Sequence, residues 1–486
     1  MSTGPKSIKV NMTLKMVEEI VSFLYPLVTS MYVIRTIGKQ NYGEIQYARS
    51  IINYFSLLAS LGIGSYAARE GAKIRDDKKT FQQFSNEIFS INCGATFAAL
   101  FLLFIYIIIL AQGDNSASIP LYLIGAVSIA FSLIGRTWIN TVYEDYLFVT
   151  VRYILTCIVN AAIIFIFIHN ENDYILYFFL LTSVSCVVAL INNHHVCQYS
   201  RIGFSRYNDY HRHLSSIFML FFSGISAKIY LNSDVTLLGI MINNEAVAIY
   251  SVAATLYTMT KQITNSVISV TIPRLSYYTG MHNDLQFHVL IEKMIDYVMV
   301  LIFPSVVGLC ELRVHAMVFL GGIQYAEGGA TLLVLALALP FAVISNILSQ
   351  GVLLPRKKEK VFLISTIISA LVNIVFNIII IPICGYIGAA ITTLLSEIVM
   401  FCFIIYETRK EVVVVIHNRT LITVLFGCII VALICEIIKR SINNIFICLL
   451  AAIILSVLAY FIILAIRKHP SVVDIKELFL RRTKRC

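Results

Sequence analysis

The stretch from Asn373 to Glu397, NIVFNIIIIPICGYIGAAITTLLSE, decides which class of protein this is. Apolar residues extend outward on both sides of the pentapeptide PICGY, and Glu397 is its one charged residue. A helix needs about 20 apolar residues to cross a hydrocarbon layer of about 30 Å. The stretch and its flanks therefore predict two membrane-spanning helices joined by a short outer loop.

The composition of the whole chain supports the same interpretation. Of 486 residues, 58% are hydrophobic and 13% are charged, against roughly 25% charged residues in a soluble domain. Apolar runs recur along nearly the entire length, which excludes both a water-soluble globule and a disordered chain. We therefore predict an all-α polytopic membrane protein with about 14 transmembrane helices.

The net charge of +10 reports the orientation of the chain rather than its ligand. Most of the 37 Lys and Arg residues fall in alternate loops and in the tail, as the positive-inside rule requires. This pattern places both termini in the cytoplasm and predicts no nucleic-acid partner. The tail from Ser471 to Arg485 mixes apolar and basic residues, so we expect an interfacial helix on anionic membrane lipids.

A weak internal repeat suggests two halves of similar architecture. Tyr47 and Ala48 in the second span align with Tyr250 in the eighth, about 200 residues later. Six spans per half is an even number, so the halves would share one orientation as a parallel pseudo-repeat. We predict an N-terminal lobe over residues 1–213, a C-terminal lobe over residues 214–410, and two further spans with the tail over residues 411–486.

Five motifs lie in order along the chain: RTIGKQNYG from Arg35 to Gly43, LGIGSYAARE from Leu61 to Glu70, the series Trp138, Glu144, Tyr146 and Arg152, PRLS from Pro273 to Ser276, and the stretch from Asn373 to Glu397. In this order they resemble the motifs of Wzx-type polysaccharide flippases, members of the MATE-like MOP superfamily. The resemblance implies two MATE-like lobes and a flippase that works by alternating access between them.

The substrate implied by this resemblance is an undecaprenyl-pyrophosphate-linked oligosaccharide. Flippases of this type carry repeat units from the inner to the outer leaflet of the bacterial inner membrane, for O-antigen, lipopolysaccharide or other surface polysaccharide. A polysaccharide polymerase and a chain-length regulator are further partners to expect.

Charged residues within the spans are the candidate binding groups. Arg49, Arg136, Lys228 and Lys261 lie in apolar segments, where each charge costs about 2.5 to 3.5 kcal/mol on the lenient insertion scale. A cationic interior suits an anionic ligand, so we assign these four to the pyrophosphate or an anionic glycan. Snorkelling remains an alternative for Arg49 and Arg136, which lie nearer the span ends.

Two acids within the spans, Asp234 and Glu397, are candidates for proton or Na⁺ coupling. A structural ion pair or hydrogen bond is the alternative for each of them. His194, His195, His211 and His213 fall in the loop after the sixth span, where an ordinary solvated loop is favoured over a metal site.

Two other functions compete with a flippase. A MATE-type cation or drug antiporter would place acids deep in the N-terminal half, whereas the clear acids here are in the second half. A membrane glycosyltransferase or polymerase is disfavoured by outer loops too short to hold a catalytic site. No G-x-x-x-x-G-K-[ST] or H-E-x-x-H motif occurs, so we predict no enzyme activity, no cofactor and no metal.

Overall fold

A computed structural model describes residues 8–113, 116–205, 211–412 and 417–470. Across these ranges the chain is helical with short turns and has no β-strand. The all-α architecture predicted from the sequence is thus confirmed. The interfacial helix predicted for Ser471 to Arg485 lies outside the described residues.

The chain divides into two compact units, Met1–Ala248 and Ile249–Cys486. The helices that begin in unit 1 are α1 (Ile8–Ser60), α2 (Ile63–Ile74), α3 (Lys78–Ala111), α4 (Ile119–Gly135), α5 (Trp138–Val142), α6 (Tyr146–Phe167), α7 (Tyr174–Val196), α8 (His211–Met241) and α9 (Asn244–Gly280). Helix α9 continues into unit 2, where it is followed by α10 (Asp284–Glu311), α11 (Arg313–Gly321), α12 (Gly329–Leu348), α13 (Glu359–Thr408), α14 (Asn418–Ser441) and α15 (Ile445–Ile466). A division into compact units does not test where internal repeats begin and end. The lobes over residues 1–213, 214–410 and 411–486 therefore stay a prediction.

Two helices are much longer than a membrane is thick. Helix α1 has 53 residues and α13 has 50, or about 75 to 80 Å at 1.5 Å per residue. Each is interrupted by a glycine outside helical geometry, Gly38 with φ 77° and Gly385 with φ 56°. Glycine adopts this left-handed region without steric cost, so each long helix divides into two segments long enough to cross a bilayer.

Ten helical segments within the described ranges are long and apolar enough to cross a membrane. Two of these segments contain the glycine interruptions, and α8 and α9, with 31 and 37 residues, are not among the ten. The polytopic architecture is confirmed, whereas the exact number of about 14 crossings stays a prediction. Large apolar side chains such as Ile453, Leu458 and Phe461 are exposed along α15, as expected for a helix in contact with lipid.

Side-chain caps define the beginnings of several helices. Asp77 accepts hydrogen bonds from the backbone N–H groups of Lys79 and Thr80 at the start of α3. Asn283 and Asn444 cap α10 and α15 in the same way. These caps satisfy N–H groups that have no partner within the helix, and they fix where each membrane segment begins.

Within unit 1, α1 packs closely against α8 and against the first residue of α9, because glycines remove side chains from these contacts. A Cβ built on Gly43 would lie 1.7 Å from the carbonyl oxygen of Asn244, and one on Gly239 would lie 2.2 Å from the ring of Tyr47. The atoms of Asn244 that this Cβ would meet belong to the backbone, so they cannot rotate away as the end of a side chain could. Gly43, which belongs to the motif RTIGKQNYG, is therefore a packing requirement of unit 1.

Within unit 2, α14 docks on α10 through an apolar centre with polar ends. Val300 and Leu312 pack in one buried cluster with Val424, Val431 and Cys435. Two contacts flank this cluster, His417 Nδ1 to Asp296 Oδ2 at 3.2 Å and Lys439 Nζ to Glu311 Oε2 at 2.9 Å. Because low residue numbers meet low and high meet high, α10 and α14 run in parallel.

An ionic cluster joins the segments of unit 2 that precede and follow α13. Arg356 and Lys358 both bind the carboxylate of Glu411, and Arg356 Nη2 also lies 3.2 Å from Asp284 Oδ1. The hydrogen bond from Lys358, followed by that from Arg356, lowers the pKa of Glu411 below its ordinary value of 4.5. The carboxylate is thus charged and paired at neutral pH.

Replacing Gly43 with Ala should destabilise unit 1 strongly. The added Cβ overlaps a backbone carbonyl, and such overpacking costs about 1 to 3 kcal/mol or more. We expect a lower Tm for the purified protein. Gly64→Ala is the control, because nothing lies within 4 Å of its Cβ position. Equal melting temperatures for the two variants would contradict this account of the contact between Gly43 and the start of α9.

Unit 2 should lose stability in acid through Glu411. A carboxyl group whose pKa is lowered by folding stabilises the folded state at pH values above its unfolded pKa, and this stabilisation disappears as pH falls through the lowered pKa. We therefore expect Tm to fall between about pH 5 and pH 3, and to fall less for Glu411→Gln. An identical acid-induced loss in both proteins would show that the cluster contributes nothing to this effect.

Candidate functional site

Two of the predicted cations in unit 1 lie on the contact between α1 and α8. Asn53 Nδ2 donates to Asn232 Oδ1 at 3.1 Å and so joins the two helices by a polar side-chain pair. Arg49 precedes Asn53 by four residues, and Lys228 precedes Asn232 by four residues. Residues four apart share one face of a helix, so both cations lie on the faces that carry the asparagine pair.

The two cations lie on opposite sides of the asparagine pair along the helix axes. Tyr47 meets Gly239 and Asn53 meets Asn232, so α1 and α8 are antiparallel. This register places Arg49 and Lys228 about 12 Å apart along the axis, at 1.5 Å per residue. Arg49 is half-buried and interacts with the hydroxyl of Tyr177, while Lys228 is exposed. They form a polar row rather than one cluster.

Asp234 lies on the same part of α8 and is buried. Two residues later, Thr236 Oγ1 donates to Ser50 Oγ at 3.0 Å and lies 3.2 Å from the hydroxyl of Tyr54. Tyr54 is also close enough to Asp234 for the two to interact electrostatically. The predicted coupling residue therefore borders a hydrogen-bonded group that links α8 to α1.

Arg136 occupies a different environment from the other predicted cations. It ends α4 in the left-handed conformation, with φ 41°, and its side chain is buried. Nη1 donates to the carbonyl of Ser200 at 3.0 Å, and Nη2 donates to Asn193 Oδ1 at 2.8 Å. The guanidinium thus holds the end of α7 and the segment that follows it, as expected for a cation at a helix C-terminus.

In unit 2 the structure brings together two residues that the sequence placed in separate roles. Lys261 Nζ on α9 lies 3.2 Å from Glu397 Oε1 on α13. The hydroxyl of Tyr257 donates to the same oxygen at 3.0 Å, and the ammonium of Lys261 lies 5.6 Å from the centre of the Tyr257 ring. The predicted anion-binding lysine and the predicted coupling acid therefore form one charged group.

A buried polar row continues from this group along α13. Asn377 donates to Asn373 at 3.0 Å, and Thr392 donates to Asn377 across the break at Gly385. One turn before Glu397, Thr393 Oγ1 lies 3.2 Å from the hydroxyl of Tyr250. The Asn and Thr residues of the opening sequence stretch thus have their polar groups satisfied within the protein, as an apolar surrounding requires.

Besides the pair in unit 2, a buried ionic group lies in unit 1, and it was not predicted from the sequence. Glu87 on α3 is fully buried and binds His213 Nε2 at 2.9 Å and Arg212 Nη2 at 2.6 Å. The hydroxyl of Tyr66 lies 2.7 Å from His213 Nδ1. His213 was expected in a solvated loop, but it lies in the first turn of α8 because Glu87 and Tyr66 provide partners for both ring nitrogens.

One spacing in the sequence signals several of these contacts. A cation and a polar residue four apart occur at Arg49 and Asn53, at Lys228 and Asn232, and at Tyr257 and Lys261. Each such pair marks the helix face that meets another polar helix. The spacing alone does not reveal which helix is the partner.

These features define a polytopic α-helical membrane protein of two units, each with charged and amide side chains on its membrane-spanning helices. The chain belongs to the family of polysaccharide biosynthesis proteins, which it matches over residues 8–279. Over residues 201–466 it also matches the lipid II flippase MurJ family. The family resemblance inferred from the five sequence motifs is confirmed.

Individual relatives agree with this assignment. The chain is 24% identical over 424 residues to the "Putative O-antigen transporter" of Escherichia coli strain K12, covering 85% of this chain and 99% of the relative. Its fold is similar to that of a lipid II flippase MurJ in an inward closed conformation, with a TM-score of 0.76 and 15% identity over 97% of this chain and 99% of the other. An inward-facing multidrug MATE transporter matches with a TM-score of 0.58 and 13% identity, over 80% and 94% of the two chains.

Replacing Arg136 with Lys should cost stability even though the charge is kept. Lysine lacks the planar fork that reaches Ser200 and Asn193 together, so one buried acceptor loses its partner at a cost of about 1 to 3 kcal/mol. We expect a lower Tm and less protein in the membrane. Arg274→Lys, at an exposed position, is the control. Wild-type stability of the Arg136→Lys protein would show that Arg136 does not hold α7.

Proposed function

We propose that this protein is a flippase for a lipid-linked oligosaccharide. The observation that carries the proposal is the presence of cations on the long helices α1, α8 and α9, in both units, within a fold similar to that of a lipid II flippase. The name of the Escherichia coli relative, an O-antigen transporter, supports a surface polysaccharide as the pathway. The family match supports the same class of substrate.

The proposed substrate is an undecaprenyl-pyrophosphate-linked repeat unit. Its negative charge lies where the lipid chain meets the sugar, so the transporter must hold a diphosphate inside the membrane while the chain stays in lipid. Arginine and lysine bind phosphate oxygens through charged hydrogen bonds, which are the strongest hydrogen bonds available in proteins. Cations on the spans are thus suited to this task.

Within this mechanism we assign binding of the anionic part of the substrate to Arg49, Lys228 and Lys261. Arg136, whose guanidinium holds the end of α7, would act on the substrate through the position of that helix. Asp234 and Glu397 are the proposed sites of ion coupling, because each is a buried acid on a helix that also carries or contacts a binding cation.

The proposed location is the bacterial inner membrane with both termini in the cytoplasm, as the distribution of Lys and Arg indicates. Substrate would enter from the inner leaflet and leave from the outer leaflet. A polymerase and a chain-length regulator would then use the translocated unit. The protein would move its substrate without chemical change, so no catalytic residue is assigned.

The competing function is export of cationic drugs, which the similarity of the fold to a multidrug MATE transporter favours. Such a transporter needs acids as its binding groups. A deletion strain distinguishes the two functions. Loss of a flippase removes surface polysaccharide, whereas loss of an antiporter changes the inhibitory concentration of drugs and leaves the polysaccharide intact.

Neutralising Lys228 or Lys261 should abolish surface polysaccharide while leaving the protein in the membrane. Lys228→Gln and Lys261→Gln each remove one proposed contact to the diphosphate. The measurement is complementation of a deletion strain, with polysaccharide and membrane-inserted protein quantified together. Lys360→Gln, an exposed position in the first turn of α13, is the matched control. Normal polysaccharide from both variants would refute the cationic mechanism.

A further inference from the structure

We infer that Glu397 competes with the substrate for Lys261. This inference rests on the proposed function, because it takes the anionic part of the lipid-linked substrate as the ligand of Lys261. The structure shows the lysine bound to a carboxylate of its own chain. We propose that an incoming diphosphate displaces this carboxylate, so that the ion pair is the resting state of a binding site.

The two partners differ in their access to the surroundings. The side chain of Lys261 is 26% exposed, whereas that of Glu397 is 3% exposed. Of the two partners, Lys261 is therefore the one that an external anion can contact. A lysine ammonium has three N–H donors, and the hydrogen bond to Glu397 at 3.2 Å uses one of them. The exposed side of Lys261 thus remains available for a first contact with a diphosphate.

Tyr257 makes the exchange energetically feasible. Its hydroxyl donates to Glu397 Oε1 at 3.0 Å, independently of Lys261. When Lys261 turns towards a ligand, the carboxylate keeps this hydrogen bond, which avoids the full penalty for a buried acceptor without a partner. The ammonium of Lys261 lies 5.6 Å from the centre of the Tyr257 ring, which offers a surface along which the ammonium can move.

Among the described residues, ionisable groups that contact Glu397 come from α9. On α9 the ionisable residues facing the carboxylate are Tyr257 and Lys261, with Tyr250 one turn away beside Thr393. Helix α12 packs against α13 and carries no ionisable residue between Gly329 and Leu348. Within the described ranges, Lys261 thus supplies a positive charge directly beside Glu397.

Displacement of Lys261 therefore changes the affinity of Glu397 for a proton. A buried carboxylate that loses its counter-ion is costly, and taking up a proton removes that cost. Binding of an anion to Lys261 and of a proton to Glu397 should thus favour each other, and by linkage the effect is reciprocal. The coupling ion is thus a proton, which binds Glu397 beside the lysine that binds the substrate.

The test measures binding of inorganic pyrophosphate to the purified full-length protein in lipid nanodiscs by calorimetry. Glu397→Gln removes the competing charge, so we expect binding about tenfold tighter than wild type, since tenfold corresponds to about 1.4 kcal/mol, within the range for one intramolecular hydrogen bond. In the double variant with Lys261→Gln, this gain should be absent.

Two further variants sharpen the result. Tyr257→Phe keeps the ring but removes the hydroxyl, so the carboxylate depends more on Lys261 and pyrophosphate should bind about threefold more weakly, a change equivalent to a partial hydrogen bond. Glu359→Gln, an exposed acid at the start of the same helix, should leave affinity unchanged. The difference in pyrophosphate affinity between Glu397→Gln and wild type should become smaller as pH falls, because protonation of Glu397 removes the same charge as the substitution.

Unchanged or weaker binding by Glu397→Gln would overturn the inference and leave Glu397 as a structural partner of Lys261. If this variant does not yield monodisperse protein, the opposite shifts expected for Glu397→Asp, tighter, and Tyr257→Phe, weaker, decide the question. Failure of the proposed function is a separate result. If the wild-type protein does not restore surface polysaccharide in the deletion strain, while Glu397→Gln binds pyrophosphate more tightly than wild type, the competition is supported and the flippase is refuted.

Discussion

Hydrocarbon provides no hydrogen-bonding partner, and this constraint explains both the backbone and the polar side chains of this protein. The backbone satisfies its own groups in long helices that depart from helical geometry at single glycines, Gly38 and Gly385. Polar side chains within the spans meet the same constraint by pairing, as Asn53 does with Asn232 and Lys261 does with Glu397. A polar group on one helix therefore determines what its neighbouring helix must carry.

The class of protein follows from the sequence because hydropathy is a property of local segments. A run of about 20 apolar residues is a helix in a membrane whatever its neighbours are, so the all-α polytopic fold was predictable from stretches such as Asn373 to Glu397. The break at Gly385 was foreshadowed by the Pro and Gly of PICGY. The family was recognisable for a related reason, since its motifs are short and lie in order along the chain.

Side-chain partners were not predictable, because they depend on how distant segments pack. Nothing local to Lys261 indicates a carboxylate 136 positions later, and the two residues seemed to have separate roles. The contacts of Arg136 with Ser200 and Asn193 were equally hidden, since its position in an apolar segment gives no sign that α4 ends there in a left-handed residue. His213 seemed to lie in a loop because its partner, Glu87, belongs to a different helix.

The attachment of α14 and α15 has a consequence for how such proteins diversify. The pair contacts unit 2 along one side of α10, through an apolar centre and two polar ends, and α15 returns beside α14 after a short turn. Helix α14 follows α10 in the same direction, from His417 beside Asp296 to Lys439 beside Glu311. In evolutionary terms the pair is a module, attached to the surface that α10 and α11 present rather than threaded between them.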